Sequence, residues 1–371
     1  MNAPIPYLEK NRPWEKSGAR RNLAERLPLS APLSIQIDPS SLCNFRCQFC
    51  PTGHPELLQQ VGRGKGQVMT WALYEKLVND IAAFPQRLKT LSLHKDGEPL
   101  LNKRLPDMVK LARDKNIADK IVILTNASLL TRETALALIQ AGTDVVRISV
   151  EHVTSAGYKE RTQVFGNYDR IVANVRALRE ERDRLQASLF ICAKVIDLGF
   201  SAEELEIFAR DFGPVCDEVG RTTAQGWSHS ELFDFTLGTK PAVALDGQTP
   251  LKPQRIACPF PFYTLAVNAN GIVSPCPDDW TLKAQVGDAN VETLTDIWNG
   301  EKMRAFRLLH LRGDRRQNPA CCNCGCVAGV PEDTDLDAAI GRLAPLYEGA
   351  PCLFPSGDNF GSTVDRPDKL R

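Results

Sequence analysis

The sequence predicts an α/β fold, a partial (β/α)6 barrel followed by a small α+β domain rich in cysteine. Three observations predict it. From Leu33 to about Val219, short apolar β-branched runs alternate with amphipathic stretches of helical period, the pattern of parallel strands joined by right-handed crossovers. Six such units are too few to close an eight-stranded barrel, so the barrel is expected to stay open. Beyond them lies a separate field of cysteines, introduced by an alternating run that turns at Asn270-Gly271.

The elements follow in order. Residues 1–30 are polar and proline-containing and read as an N-terminal arm, lying on the surface or partly disordered. The barrel is assigned to 31–220, with strands at 33–38, 88–93, 120–124, 145–150, 187–196 and 215–219. Helices are predicted near 70–84, 102–116, 131–141, 168–184 and 201–212. Thr70, Thr131 and Ser201 are suitable helix caps, the last with Glu204 three residues on. A Gly/Thr/Ser/Pro-rich connector occupies 221–255, with Trp227 and His229 near the barrel mouth. The second domain, 256–330, holds Cys258-Pro259-Phe260, a hairpin of strands around 262–267 and 272–276, and a helix over 291–311 with Leu294 and Trp298 on its apolar face. It ends in Cys321-Cys322-Asn323-Cys324-Gly325-Cys326. Residues 331–371 form a C-terminal extension.

Composition narrows the class. Forty-five basic residues balance 45 acidic ones in 371, which gives no bulk attraction to nucleic acid or to an anionic membrane. There is no run of 18 apolar residues and no apolar signal-peptide core near the start, so a cytoplasmic protein is expected. That compartment keeps thiols reduced, and clustered cysteines there are more often metal ligands than disulfides. The 12 cysteines are clustered, three of them in 43–50 and seven (258, 276, 321, 322, 324, 326 and 352) in the last third.

The densest signal is Cys43-Asn44-Phe45-Arg46-Cys47-Gln48-Phe49-Cys50, placed directly after the first strand. Function in parallel barrels collects at the C-terminal strand ends, where this loop falls. Thiolates spaced C-x3-C-x2-C can wrap one face of a [4Fe–4S] cubane. Three ligands for four irons leave one iron open to chemistry. Zinc is the rival, but a closed zinc site wants four ligands, and no histidine precedes His54.

This loop, with Phe49 before its last cysteine, resembles the signature of the radical S-adenosylmethionine (SAM) superfamily. The resemblance implies that Cys43, Cys47 and Cys50 hold a [4Fe–4S] cluster whose open iron chelates SAM. One electron, from a reducing partner such as flavodoxin or ferredoxin, then yields a 5′-deoxyadenosyl radical that abstracts hydrogen. Three later elements resemble SAM contacts of the family. His94-Lys95-Asp96-Gly97-Glu98-Pro99 resembles Gly-Gly-Glu-Pro, with Asp96 in place of the first glycine, and implies contacts from Gly97 and Glu98 and a partner role for Asp96. Leu124-Thr125-Asn126-Ala127 resembles Thr-Asn-Gly and places Asn126 near the ribose. Ser149-Val150-Glu151 resembles Ser-x-Glu, and its two polar side chains share one strand face.

The layout from Cys258 to Cys324 resembles the auxiliary-cluster domains called SPASM or twitch. It implies one auxiliary [4Fe–4S] cluster on Cys258, Cys276, Cys321 and Cys324; Cys322, Cys326 and Cys352 are left for a possible second. A zinc knuckle is the alternative for these cysteines. An auxiliary cluster could oxidise a ketyl-like radical to a ketone if a base lay nearby, for which Asp278, Asp279, His94, His152 and Lys194 are candidates. Lys194 sits among apolar residues and needs a partner or a wet cavity. The expected activity is oxidation of a secondary alcohol in a small sugar or aminocyclitol, as in the twitch-bearing aminocyclitol dehydrogenases. The alternatives are radical modification of a peptide or protein, which the short segment before the first strand disfavours, and a non-catalytic iron–sulfur protein.

Overall fold

In the computed structural model, which describes residues 5–6, 22–164, 166–228 and 231–348, the sheet begins with β1 (Ser34–Ile37). The parallel strands β2 (Leu88–Leu93), β3 (Ala118–Thr125), β4 (Val145–Ser149), β5 (Phe190–Asp197) and β6 (Glu218–Thr223) follow, each paired to the one before it. β7 (Thr264–Val267), β8 (Ile272–Ser274) and β9 (Gly287–Asp288) complete one sheet in the order β6-β5-β4-β3-β2-β1-β7-β8-β9. The helices are α1 (Pro55–Gln60), α2 (Trp71–Ala82), α3 (Leu105–Asp114), α4 (Arg132–Gln140), α5 (Ser155–Thr162), α6 (Tyr168–Arg184) and α7 (Ala202–Phe212). The C-terminal third adds α8 (Phe260–Tyr263), α9 (Leu294–Asn299), α10 (Glu301–Leu311) and α11 (Ile340–Glu348).

The open α/β barrel is present. Ile35, Ile37, Leu91, Ile121, Ile148 and Val195 are fully or almost fully buried and form the core shared by sheet and helices. Thr70 and Thr131 cap α2 and α4, and Ser201 with Glu204 closes a capping box on α7.

Several boundaries differ from the sequence reading. The last barrel strand runs to Thr223, because Gly220–Thr223, read as the start of a connector, continue the ladder against Lys194–Asp197. Residues 260–263 form a helical turn, and the hairpin strand begins only at Thr264. The predicted helix over 291–311 is two helices separated at Gly300, whose backbone is extended (φ −72°, ψ 165°); a Cβ there would lie 2.6 Å from the Asp296 carbonyl.

The segment 22–31 packs inward instead of lying on the surface. Asn22 caps a short 3₁₀ turn, and Leu23, Leu27 and Leu29 are buried. The hairpin is not a separate layer either. β7 joins the free edge of β1 in parallel, Ser34 opposite Thr264 through Ile37 opposite Val267, so the cysteine-rich region extends the barrel sheet.

Candidate active site

The cysteine loop leaves the C-terminal end of β1 and is held from several sides. The Arg46 and Gln48 amides donate to the Thr162 and Arg161 carbonyls at the end of α5 (2.9 and 3.0 Å), a helix absent from the sequence reading. The Glu98 amide donates to the Leu42 carbonyl at 2.8 Å. A Cβ on Gly97 would lie 2.2 Å from the carbonyl oxygens of Ser40 and Leu42, so only glycine lets the loop after β2 close on the segment before Cys43. Asn44 and Asn126 join the loop to the end of β3, with Asn126 Nδ2 donating to Asn44 Oδ1 at 3.0 Å.

One cavity of about 330 Å³ opens at the C-terminal strand ends. Cys43, Cys47, Cys50 and Phe49 line one side, and His94, Asp96, Gly97, Glu98, Asn126, Ser149, Glu151 and Lys194 line the barrel mouth. Asp278 and Cys326 reach the same cavity from the cysteine-rich region. Thus the barrel and catalytic candidates named from sequence meet here, apart from Asp279 and His152. Trp227 lines it as expected; His229 and Cys352 lie outside the described residues.

Asp279 is held apart from this cavity. It is 1% exposed, and its carboxylate accepts hydrogen bonds from Ser274 Oγ, Thr281 Oγ1 and the amides of Lys283 and Ala284 (2.9–3.1 Å). It organises the turn after Cys276 and has no free oxygen to offer a substrate. His152 is also directed elsewhere, toward Glu204 (3.2 Å) and the Phe200 ring.

Two of the carboxylates read as ligand contacts have protein partners. Asp96 bridges Lys95 (2.8 Å) and Arg63 (2.6 Å); burial opposes its ionisation, yet these cations hold its carboxyl below the usual range. Glu98 accepts from Thr125 Oγ1 (2.6 Å), the Asn126 amide (2.8 Å) and the Leu100 amide (3.0 Å), while burial pushes it up to about 7. Both therefore brace the loops around the cavity.

The remaining titratable groups are strongly perturbed. Burial, then Arg147, drives His94 down to about 3, and its buried Nδ1 has no protein partner. Burial, then Arg147, lowers Lys194 to about 8. Burial raises Glu151 to about 7 against the pull of Lys194 and Arg161. Asp278 is raised by burial. Clustering of such groups in one cleft is the pattern of a reaction site.

Sequence reasoning missed other lining residues, among them Thr52, Thr222, Thr223, Gln225 and Phe235. Thr222 is 1% exposed and its Oγ1 has no partner. No local signal marks it, because its Gly-Arg-Thr-Thr setting becomes strand only through pairing with β5, Thr222 opposite Ile196.

The donor sets suit iron–sulfur clusters. Cys43, Cys47 and Cys50 are free thiols on one cavity wall, and burial pushes Cys43 up to about 12. Cys258, Cys276, Cys321 and Cys324 are likewise free and gathered closely enough to perturb one another. His310, almost fully buried, accepts from the Cys258 amide through Nδ1 (3.1 Å) and meets Cys321 Sγ through Nε2 (3.8 Å). Among the described residues no three His, Cys, Asp or Glu side chains converge on a single-ion site. Cysteine thiolates are the usual ligands of iron–sulfur clusters. Cys322 is exposed and Cys326 buried in the cavity wall, so the two do not share one environment.

A model of the radical SAM superfamily matches residues 37–193, and one of an iron-sulfur cluster-binding domain, SPASM, matches 258–325. The chain belongs to the radical SAM superfamily. It is a radical SAM enzyme with a SPASM domain, and the cofactors of these domains are a [4Fe–4S] cluster with SAM and auxiliary iron–sulfur.

The chain is 24% identical to the S-adenosyl-L-methionine-dependent 2-deoxy-scyllo-inosamine dehydrogenase of Niallia circulans, over 81% of this chain and 95% of that protein. It is 24% identical to the PqqA peptide cyclase of Gluconobacter oxydans, over 73% and 77%. Its fold is similar to that of Streptococcus suis SuiB bound to precursor peptide SuiA, with TM-score 0.58 and 16% identity over 82% of this chain and 72% of that one. No helix among the described residues is long and apolar enough to cross a membrane.

Proposed function

We propose that this radical SAM enzyme is a dehydrogenase that oxidises a secondary alcohol of a small polar substrate, of sugar or aminocyclitol type, to a ketone. The observation that carries this reading is the shared cavity: the wall that holds Cys43, Cys47 and Cys50 faces Asp278, two residues from Cys276, across one space. The similarity to the inosamine dehydrogenase over nearly its whole length supports the same class of substrate.

In this reading Cys43, Cys47 and Cys50 hold the SAM cluster, and Cys258, Cys276, Cys321 and Cys324 hold one auxiliary cluster. Phe49, Gly97, Asn126, Ser149 and Glu151 face SAM, while Asp96 and Glu98 keep their loops in register. When bound, these cofactors supply a hydrogen-abstracting radical and an acceptor for the second electron. The chain's own residues bind and deprotonate the substrate. The Lys194 ammonium and the unpartnered His94 Nδ1 and Thr222 Oγ1 meet substrate hydroxyls, and Asp278 takes the hydroxyl proton. A carboxyl raised by burial is a better base near neutral pH than an ordinary one.

A second reading, modification of a peptide, draws on the adjoining hollow of about 160 Å³, which shares Thr223, Ala224, Gln225, Leu245 and Cys326 with the main cavity and offers room for a longer substrate.

The test is anaerobic turnover with SAM and dithionite against aminocyclitols, amino sugars and peptides. A carbinol-deuterated aminocyclitol is expected to pass deuterium to 5′-deoxyadenosine and to yield a ketone. Asp278→Asn is expected to lower kcat about 100-fold, the usual size of a general-base contribution. Substrate-dependent deoxyadenosine with peptides alone would overturn the alcohol assignment.

A further inference from the structure

We propose that a basic cleft on the outer side of the cysteine loop is the docking surface for a small acidic protein that carries one electron. The inference rests on the radical SAM reading of that loop. The cleft, about 280 Å³, lies between residues 58–67, the hairpin turn at 268–270 and the segment 281–283. None of its lining residues is acidic. Lys65 and Lys283 at its rim are exposed and form no ion pair among the described residues, while Arg63 is held by Asp96 (2.6 Å) and the Trp280 carbonyl (2.9 Å).

The cleft is a built feature. The Ser41 amide donates to the Gln67 carbonyl (2.9 Å), the Gln67 amide to Ser41 Oγ (3.0 Å), and Gln67 Nε2 to the Ala269 carbonyl (3.2 Å). A Cβ on Gly66 would lie 2.8 Å from the Ser41 carbonyl, so this glycine seats the loop against the end of β1.

Thr52 gives the cleft its purpose. It lines both the cleft and the substrate cavity, and its Oγ1 lies 3.1 Å from Cys50 Sγ. The wall between cleft and cluster ligand is therefore one residue thick. Electron transfer slows steeply with distance, so a carrier seated in the cleft delivers its electron to the cysteine loop without entering the substrate cavity. The step moves one electron: the carrier is oxidised, the group held by Cys43, Cys47 and Cys50 is reduced, and no bond forms or breaks. A lining without acidic residues and two lysines without an ion pair among the described residues select and steer a partner with an acidic face.

The test uses the full chain and flavodoxin as the acidic carrier. Binding is measured by titration calorimetry at low and at physiological ionic strength, and deoxyadenosine formation is driven by reduced flavodoxin or by dithionite. Lys65→Glu with Lys283→Glu is expected to weaken flavodoxin binding about tenfold or more and to flatten its salt dependence, as removal of steering charges does. Flavodoxin-driven cleavage of SAM should fall in parallel and dithionite-driven cleavage should not, and Lys65→Arg with Lys283→Arg should retain binding. Unchanged flavodoxin affinity in the charge-reversed variant would overturn the proposal. Equal losses with both reductants would do so too, as would saturable binding of inorganic phosphate in the cleft by a chain that does not bind flavodoxin. A wild-type protein that binds flavodoxin at these lysines but cleaves no SAM with dithionite would instead count against the radical reading, leaving the docking surface supported.

Discussion

At the scale of single residues, Lys194 is the group whose placement has the clearest solution consequence. Its neighbours on β5, Ala193 and Val195, are fully buried, so the pleat sends Lys194 to the barrel mouth. There burial and Arg147 oppose its charge, Glu151 favours it, and the balance stands at about 8 against an ordinary 10.5. Between those two values the unfolded chain holds the proton and the folded chain has lost it. Stability from this group therefore rises with pH across that window, and below about 8 its buried charge costs stability. In the proposed reaction the cation holds a substrate oxygen, so KM should rise as pH climbs through about 8. Lys194→Met should raise KM roughly 10- to 100-fold, matching the ~1.5–3 kcal/mol of a hydrogen bond to a charged group, and should abolish that limb. Steady-state KM between pH 6.5 and 9.5 checks it, and an identical limb in the variant would remove Lys194 from the site.

Among elements, the end of the barrel away from the site repeats one device. Before β6, Asp217 accepts the Ile191 amide of β5 (2.7 Å) and Arg182 from the end of α6 (2.6 Å). Before β4, Asp144 accepts the Ile121 amide of β3 (2.7 Å) and pairs with Arg113 from the end of α3. Each carboxylate thus fixes a strand start to its neighbour and to a helix terminus. Asp217→Ala removes the acceptor of the Ile191 amide and one carboxylate from buried Arg182, which keeps Asp183 and the Leu189 carbonyl, and should cost about 2 kcal/mol. Denaturant melting should show that loss while SAM cleavage well below Tm is unchanged; lost cleavage in a folded variant would mean that the bottom of the barrel is coupled to its mouth. Helices α2, α4 and α7 were legible in sequence because their caps, Thr70, Thr131 and the Ser201–Glu204 box, are local chemistry. So were the cysteine loop and the lining residues next to it, since short spacing carries their meaning. Thr222 was not legible: its Gly-Arg-Thr-Thr setting looks like loop, and only pairing with β5, far in sequence, makes it strand. Asp279 was misread for the opposite reason, because sequence does not reveal that four donors converge on it.

Over the whole molecule, the SPASM region and the barrel share a single sheet, and this sets what each requires of the other. β7 covers the edge of β1 over four residue pairs, flanked by the Leu33 amide bonded to the Tyr263 carbonyl and the Asp38 amide to the Val267 carbonyl. Trp298 Nε1 donates to the Leu29 carbonyl (3.1 Å), Lys76 on α2 to the Glu292 carbonyl (2.6 Å), and the Leu294 amide to Asp80 (3.2 Å). Arg307, buried, donates to the Pro261 and Trp298 carbonyls (2.9 and 3.0 Å) and stacks over the Trp298 ring (4.0 Å), drawing α8, α9 and α10 into one unit. None of this was readable from short strands whose partner is over 200 residues away. Removing everything after Arg255 would open the β1 edge beside the fully buried Ile35 and Ile37 and strip the cover from Leu29. An exposed apolar edge strand templates association. The truncated chain should therefore aggregate or melt without cooperativity, and it should fail to hold a cluster at Cys43, Cys47 and Cys50 although all three are present. Size-exclusion chromatography, thermal melting and iron content decide it. A monomeric truncated chain with a cooperative melt and a full SAM cluster would show that the barrel stands alone and that β7 is only an ornament on its edge.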